Sequence, residues 1–156
     1  SISTRQIDPA FLQAFNDAWN RHDIDALMAF MTDDCQFHAV AGPELFGRSF
    51  IGRDAVREGF QLAWQTCPDA AWVDGEHVVC GDRGFSESTF RGARPAGTRI
   101  EASMVDFLRF HDGRTAAKNP TERIARRFRW LTGRNRPTTF ASTSMPGPIA
   151  AAVIDW

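Results

Sequence analysis

Three side chains of this sequence have types and positions that suit acid–base chemistry. Asp106 lies within the apolar run Met104–Phe110. A carboxylate there must accept hydrogen bonds, take up a proton or face a wet cavity, because burying a bare charge is costly. His38 adds an imidazole that titrates near neutrality, and Glu87 adds a second carboxylate. These residues predict a site at which a proton is moved.

Each of these residues also has a structural interpretation. Asp106 could lie on an edge strand and meet water, and His38 could be a structural residue of its strand. Glu87 could share a proton with Asp106 across neighbouring strands. Alternatively, Glu87 could bind Arg91 or Arg99 on the outer face of a sheet.

Length, composition and charge limit the class of protein. A chain of 156 residues suffices for one domain with a core. The net charge of −1 favours neither nucleic acid nor a membrane surface as a partner. No apolar run approaches the ~20 residues of a membrane span, and the N-terminus lacks the pattern of a signal peptide. A single lysine among many arginines indicates a GC-rich, bacterial genome.

The motifs of cofactor and metal sites do not occur in the sequence. There is no glycine-rich phosphate or dinucleotide motif and no histidine or cysteine spacing typical of zinc. We therefore expect no cofactor and no metal. Cys35, Cys67 and Cys80 are an odd, widely spaced set, which predicts free thiols in the reducing cytoplasm.

The elements that must position the candidate residues follow from apolar spacing. Helical spacing predicts three helices that begin at Asp8, Ile24 and Gly52, with Asp33-Asp34 ending the second. Alternation of apolar and polar residues predicts a first strand over 35–40, a loop over 41–49, and then strands over 70–80, 84–91 and 98–110. Helices followed by an antiparallel meander indicate an α+β domain whose curved sheet encloses a pocket.

Apolar residues on these elements are expected to surround the pocket. In a compact protein they would form the core, but in a hollow fold the same faces line a ligand site. The predicted pocket-lining residues are Phe15, Trp19, Phe60, Trp64, Met104 and Leu108.

Several local motifs resemble one family over residues 9 to 119. They are TDDCQFHAVAGPE, GRDAVREGF, VVCGDRGFSESTFRG, GTRIEASMVDFLRFHDGR and the pair Lys118-Asn119. In this order they resemble SnoaL-like, polyketide cyclase-like proteins of the nuclear-transport-factor-2-like (cystatin-like) superfamily. The resemblance implies an α+β conical half-barrel over residues 1–119, with three N-terminal helices packed on a curved, mostly antiparallel sheet. It also implies homodimers formed through the outer sheet face.

The resemblance also bears on the site. Asp106 matches a pocket acid of both ketosteroid isomerases and SnoaL-type cyclases. The isomerases carry a tyrosine where this chain has Phe15 and an aspartate base where it has Ala39. The cyclases carry a histidine on the strand that precedes the acid, and the strand containing Glu87 has none. The isomerase mechanism is therefore not expected here.

Two functions are predicted as alternatives, because this fold supports many. The first is a cofactor-free acid–base enzyme, of isomerase, cyclase or hydrolase type, acting on a small apolar or polyketide-like substrate through Asp106 with His38 or Glu87. The second is a non-catalytic ligand-binding or dimerisation module. A second ionisable group within hydrogen-bond reach of Asp106, directly or through one water, would favour the enzyme. Lys118-Asn119 could close the rim of the pocket or end a strand in solvent.

Residues 120–156 have no counterpart in the resemblance and are treated as a C-terminal extension of unknown role. Pro120 follows Lys118-Asn119 where relatives continue with an aromatic-Arg-Lys segment. The extension ends in the apolar run 149–156, which we expect to dock over the pocket mouth or on a partner subunit.

Overall fold

The structure, a computed structural model, describes residues 6–39 and 48–119. The extension 120–156, with its predicted docking, and residues 41–47 of the predicted loop lie outside the described residues. The helices are α1 (Pro9–Asn20), α2 (Ile24–Ala29) and α3 (Arg53–Thr66). The strands are β1 (Met31–His38), β2 (Ser49–Ile51), β3 (Ala71–Cys80), β4 (Arg83–Ala93), β5 (Arg99–His111) and β6 (Arg114–Lys118).

The strands form one open sheet in the order β2-β1-β6-β5-β4-β3. Neighbouring strands are antiparallel except β1 and β6, which run parallel. The three helices pack on this sheet, so the predicted α+β half-barrel fold is confirmed. The long strands β3, β4 and β5 are the predicted meander, and their ends lie within two residues of the predicted ends.

Helix α1 begins where the sequence predicts. The Asp8 side chain accepts a hydrogen bond from the Phe11 backbone N–H at 3.0 Å, and Pro9 occupies the first helical position. Such a cap stabilises a helix by about 1 kcal/mol. The buried face of α1 then carries Leu12, Phe15, Ala18 and Trp19, at the predicted spacing.

The boundary between α2 and β1 differs from the prediction. The sequence pattern extends the helix through Met31 to Asp33-Asp34, but α2 ends at Ala29 and β1 begins at Met31. The backbone N–H of Thr115 donates to the Phe30 carbonyl at 2.7 Å, and Met31 pairs with Thr115 of β6. Pairing with a strand more than 80 residues later therefore overrides local helical spacing, as tertiary context commonly does.

Strand β2 is a second difference, because the sequence pattern assigns Ser49 to a loop. Its three residues are too few for alternation to be recognised, and pairing with β1 defines the strand. The rings of Phe37 and Phe50 stack across this pair, with centroids 5.7 Å apart. A Cβ at Gly59 of α3 would lie 2.7 Å from the Phe50 ring, so this glycine permits the close approach of helix and sheet.

Candidate functional site

A cavity of about 290 Å³ lies between helices α1 and α3 and one face of the sheet, here called the cavity face. Its wall is mostly apolar, and four of the predicted pocket residues border it: Phe15, Trp19, Met104 and Leu108. The cavity is close to the lower end of the size range of small-molecule sites.

Phe60 and Trp64 of α3 are not among the residues that line the cavity, contrary to the prediction. Helix α3 instead presents Gly59, Leu62, Ala63 and Thr66 to it. These positions follow helical spacing, whereas 60 and 64 lie on an adjacent stripe of the same helix.

Both aromatic residues have structural contacts instead. Phe60 is fully buried and packs edge-on against Trp19, with centroids 4.8 Å apart. Trp64 stacks on His22, with centroids 5.0 Å apart. They support the cavity wall from behind.

Asp106 lies on the cavity wall and accepts two hydrogen bonds. Lys118 Nζ lies 2.8 Å from its Oδ1, and Asn119 Nδ2 lies 2.9 Å from the same oxygen. The side chains of Lys118 and Asp106 are only 9% and 15% exposed. The carboxylate is therefore partnered by hydrogen bonds within the protein, the first of the three alternatives that the sequence left open.

Asn119 is held so that its amide faces Asp106. Its backbone N–H donates to the Phe107 carbonyl at 2.7 Å, and its side-chain Oδ1 accepts from the Phe107 N–H at 2.9 Å. The backbone of Asn119 is left-handed, with a φ of 53°, which asparagine tolerates better than most residues. The side chain thus caps the end of β6 and aims Nδ2 at the carboxylate.

Lys118 is the only lysine of the chain, and it ends β6. Its Nζ lies 5.5 Å from the centre of the Trp19 ring and 5.1 Å from the centre of the Phe37 ring. The ammonium group is thus surrounded by one carboxylate and two aromatic faces, an arrangement that suits a cation. Lys118 and Asn119 are buried and line the cavity, so they do not end a strand in solvent, which was one of the two alternatives left open by the sequence.

His38 does not face the cavity. Its neighbours Phe37 and Ala39 line the wall, so alternation along β1 directs His38 to the opposite face. Its Nδ1 lies 2.8 Å from Ser49 Oγ of β2, and burial lowers the pKa of the imidazole below the ordinary value of 6.5. Successive side chains of a strand point to opposite faces, so the structure places His38 on the other face from Phe37 and Ala39 and not on the cavity wall.

Glu87 also lies away from the cavity. It is exposed on the outer face of β4, opposite Val105 of β5, whereas its neighbours Ser86 and Ser88 line the cavity. It therefore cannot share a proton with Asp106, which faces the other side. Arg91, one of its predicted alternative partners, instead donates to Glu101 at 3.1 Å.

A family model described as a SnoaL-like domain matches residues 12–118. This chain belongs to the SnoaL-like family. The match spans all three helices except the first three residues of α1 and ends at Lys118, so it includes Asp106 and the ammonium group beside it. The resemblance expected from the sequence motifs is thereby confirmed.

Solved structures similar to this SnoaL-like chain share its fold at low identity. A candidate polyketide cyclase from Xanthomonas campestris is 22% identical, with a TM-score of 0.61, over 70% of this chain and 84% of that one. A protein from Catenulispora acidiphila with a ketosteroid isomerase-like fold, in complex with trimethylamine, is 17% identical, with a TM-score of 0.63, over 72% and 84%. A comparison with curated proteins found no match.

One histidine that the sequence analysis did not select lies beside the cavity of the SnoaL-like domain. His77 of β3 pairs with Ser86 of β4, and its Nδ1 lies 2.8 Å from Ser86 Oγ. Its Nε2 lies 3.1 Å from Gln13 Oε1 of α1. The strand register places His77 beside Ser86, and this register could have been derived from the turn at 81–82.

Within residues 6–39 and 48–119, no three His, Cys, Asp or Glu side chains are grouped so that they could hold a metal ion. In those same ranges, no helix is both long and apolar enough to cross a membrane.

Proposed function

We propose that this SnoaL-like protein binds a small apolar or polyketide-like molecule in its cavity and moves a proton on it without a cofactor. The observation that carries the proposal is the part-buried Asp106–Lys118 pair on a mostly apolar wall. A buried ion pair adds little to stability, because desolvation of the charges offsets their attraction. Lys118 also supports the enzyme alternative, because it is a second ionisable group within hydrogen-bond reach of Asp106.

Asp106 would serve as the base of this reaction. Both donors, Lys118 and Asn119, bind its Oδ1, and no residue in the described ranges donates a hydrogen bond to Oδ2. Oδ2 can therefore take a proton from a carbon next to a substrate carbonyl. The charge then left on the carbonyl oxygen is stabilised by an N–H of Lys118, and the proton returns to the substrate at another carbon.

Deuterium exchange into a bicyclic ketone tests this assignment. We expect the protein to accelerate incorporation of deuterium into the α-positions of 2-tetralone in D₂O, measured by NMR. Asp106→Asn should lower that rate by about 10²-fold or more, the usual contribution of a general base. Glu87→Gln makes the same chemical change on the outer face and should leave the rate unchanged. Equal rates for Asp106→Asn and the unaltered protein would refute the assignment.

A second candidate function is ligand binding without turnover. Phe15 and Ala39, which replace the tyrosine and aspartate of the isomerases, both line the cavity and offer no polar side-chain group there. In this case Asp106 only orients the ligand. Saturable binding of 2-tetralone, detected by fluorescence of Trp19 and Trp72 on the wall, with no acceleration of exchange would select this function.

We also propose a homodimer through the outer face of the sheet. The register places Val78, Phe85 and Phe107 in one row across β3, β4 and β5. Val78 and Val105 are 46% and 45% exposed, a combination seldom left bare on a monomer. Light scattering should give twice the monomer mass of 17.4 kDa, and Val105→Glu should give the monomer mass. A monomer mass for the unaltered chain at micromolar concentration would contradict the dimer.

A reducing compartment such as the cytoplasm fits the cysteines. All three thiols are free in the structure, and Cys35 and Cys67 are buried, where burial raises the pKa of each thiol and lowers its reactivity. Thiol titration of the native protein should detect Cys80 alone, and titration after unfolding should detect all three.

A further inference from the structure

Four polar side chains form a hydrogen-bonded chain from helix α1 to the cavity wall. Gln13 Nε2 donates to Asp17 Oδ1 at 2.9 Å. Gln13 Oε1 lies 3.1 Å from His77 Nε2, and His77 Nδ1 lies 2.8 Å from Ser86 Oγ. Of these four side chains, Ser86 is the one that lines the cavity.

Asp17, the acidic end of this hydrogen-bonded series of side chains, fixes the direction of each hydrogen bond in it. A carboxylate oxygen accepts, so Gln13 turns its NH₂ group to Asp17 and its carbonyl oxygen to His77. His77 Nε2 must then donate to that oxygen. In a neutral imidazole Nε2 carries the single proton, which leaves Nδ1 as an acceptor.

The surroundings of His77 favour the neutral ring. Burial lowers the pKa of His77 below 6.5, although the Asp17 carboxylate acts in the opposite direction. At neutral pH the ring is therefore an acceptor at Nδ1, and Ser86 is the donor to it. The hydroxyl of Ser86 has one proton, so its oxygen keeps only lone pairs for the cavity.

We propose that Ser86, held as an acceptor by His77, makes the cavity selective for ligands that present a hydroxyl or N–H group to this part of the wall. This inference rests on the proposed function. Asp106 is the cross-strand neighbour of Ser86, so the donor group would lie beside the reacting carbon. The substrate class that follows is an apolar carbonyl compound that also bears a hydroxyl or an amine.

Two other polar groups of the cavity wall, Lys118 and Ser88, differ from Ser86 in their hydrogen bonding. The Lys118 ammonium already binds Asp106 and faces the rings of Trp19 and Phe37. Ser88 lies two residues further along the same wall, and its side chain has no hydrogen bond to a residue of the described ranges. It can therefore donate or accept, which makes it a matched control for Ser86.

Three naphthalenes of similar size test the selectivity. 2-Naphthol donates a hydrogen bond, 2-methoxynaphthalene only accepts, and 2-methylnaphthalene does neither. Binding is measured by calorimetry at pH 7.5. We expect 2-naphthol to bind about tenfold more tightly than 2-methoxynaphthalene, the effect of about one hydrogen bond. The methoxy and methyl compounds should bind equally.

Substitutions then assign the selectivity to individual residues. Ser86→Ala should reduce the preference for 2-naphthol to less than about threefold, and Ser88→Ala should retain it. His77→Phe removes the acceptor and frees the Ser86 proton, so the methoxy compound should gain affinity. His77→Asn, whose side-chain oxygen can replace Nδ1 as the acceptor, should restore the preference for the donor.

The outcomes separate this inference from the proposed function. If all three naphthalenes bind equally, or if Ser86→Ala keeps the preference, the inference is wrong while ligand binding stands. If none of the three binds, the proposed function fails and the inference fails with it. Circular dichroism of each variant identifies any loss of affinity that results from misfolding.

Discussion

Residues 6–39 and 48–119 include two histidine–serine pairs with the same local geometry and different surroundings. His38 Nδ1 lies 2.8 Å from Ser49 Oγ, and His77 Nδ1 lies 2.8 Å from Ser86 Oγ. Both pairs join directly opposed residues of antiparallel strands, and burial lowers the pKa of both histidines. Only the second pair reaches the cavity, through Ser86.

The same contrast holds for two carboxylates on neighbouring strands. Asp106 faces the cavity and binds Lys118 and Asn119, whereas Glu87 is exposed on the outer face. Residue type and local pairing are thus insufficient to define a site. The face of the sheet decides whether the group meets a ligand.

The largest expected effect is on the unfolding free energy of the protein when Asp106 or Glu87 is replaced. Asp106→Ala leaves the Lys118 ammonium buried without its partner, which should cost about 3–5 kcal/mol of unfolding free energy. Glu87→Ala should change it by less than about 0.5 kcal/mol. Urea unfolding measures both. The double substitution Asp106→Leu with Lys118→Met should recover most of the stability that Asp106→Ala loses. Similar losses of stability for Asp106→Ala and Glu87→Ala would refute the contrast.

A smaller effect is expected at two residues with left-handed backbone. Asn119 and Asp112 have φ values of 53° and 47°. Asn119→Ala removes the hydrogen bonds to Phe107 and Asp106 and should cost about 2 kcal/mol. Asp112→Ala loses only an exposed contact with His111, so it should cost less than about 1 kcal/mol. Equal costs in thermal unfolding would mean that backbone strain, and not the side-chain bonds of Asn119, is responsible.

The two histidine–serine pairs should differ in their effect on ligand choice. Ser86→Ala should weaken binding of 2-naphthol by about tenfold, or about 1.4 kcal/mol, and Ser49→Ala should leave it unchanged. Calorimetry under identical conditions gives both values. If Ser49→Ala weakens binding as much as Ser86→Ala, position relative to the cavity does not explain the difference between the pairs.

The smallest expected effect is on the pH dependence of stability, where the two pairs should behave alike. Folded His38 and His77 have pKa values below 6.5, so the unfolded chain binds their protons more readily. The stability they contribute is complete above the unfolded value and is lost as pH falls through the folded pKa values. Replacing both by Asn should flatten the pH dependence of the unfolding free energy as the pH falls below the unfolded pKa of about 6.5. If the unfolding free energy, measured in urea, changes with pH as steeply in the double variant as in the unaltered protein, this prediction is wrong.

The candidate site was predictable at one residue and not at its partners. Asp106 stands out because a charged group within an apolar strand needs a partner. Nothing local identifies Lys118 as that partner, because it reaches Asp106 through pairing of β5 with β6. His77 was missed because its hydrogen bond to Gln13 of α1 joins residues 64 positions apart, which no local pattern reveals.

The sequence by itself determined the order of the three helices and of strands β1, β3, β4 and β5, the capped start of α1, and the presence of a carboxylate in an apolar strand. Each of these follows from spacing and residue type over a few positions, where local preferences are strong. Tertiary structure alone decided where β1 begins, that β2 exists, and that His38 and Glu87 face away from the cavity. Those features depend on strand register and on contacts between distant residues, and a shift of one residue reverses them.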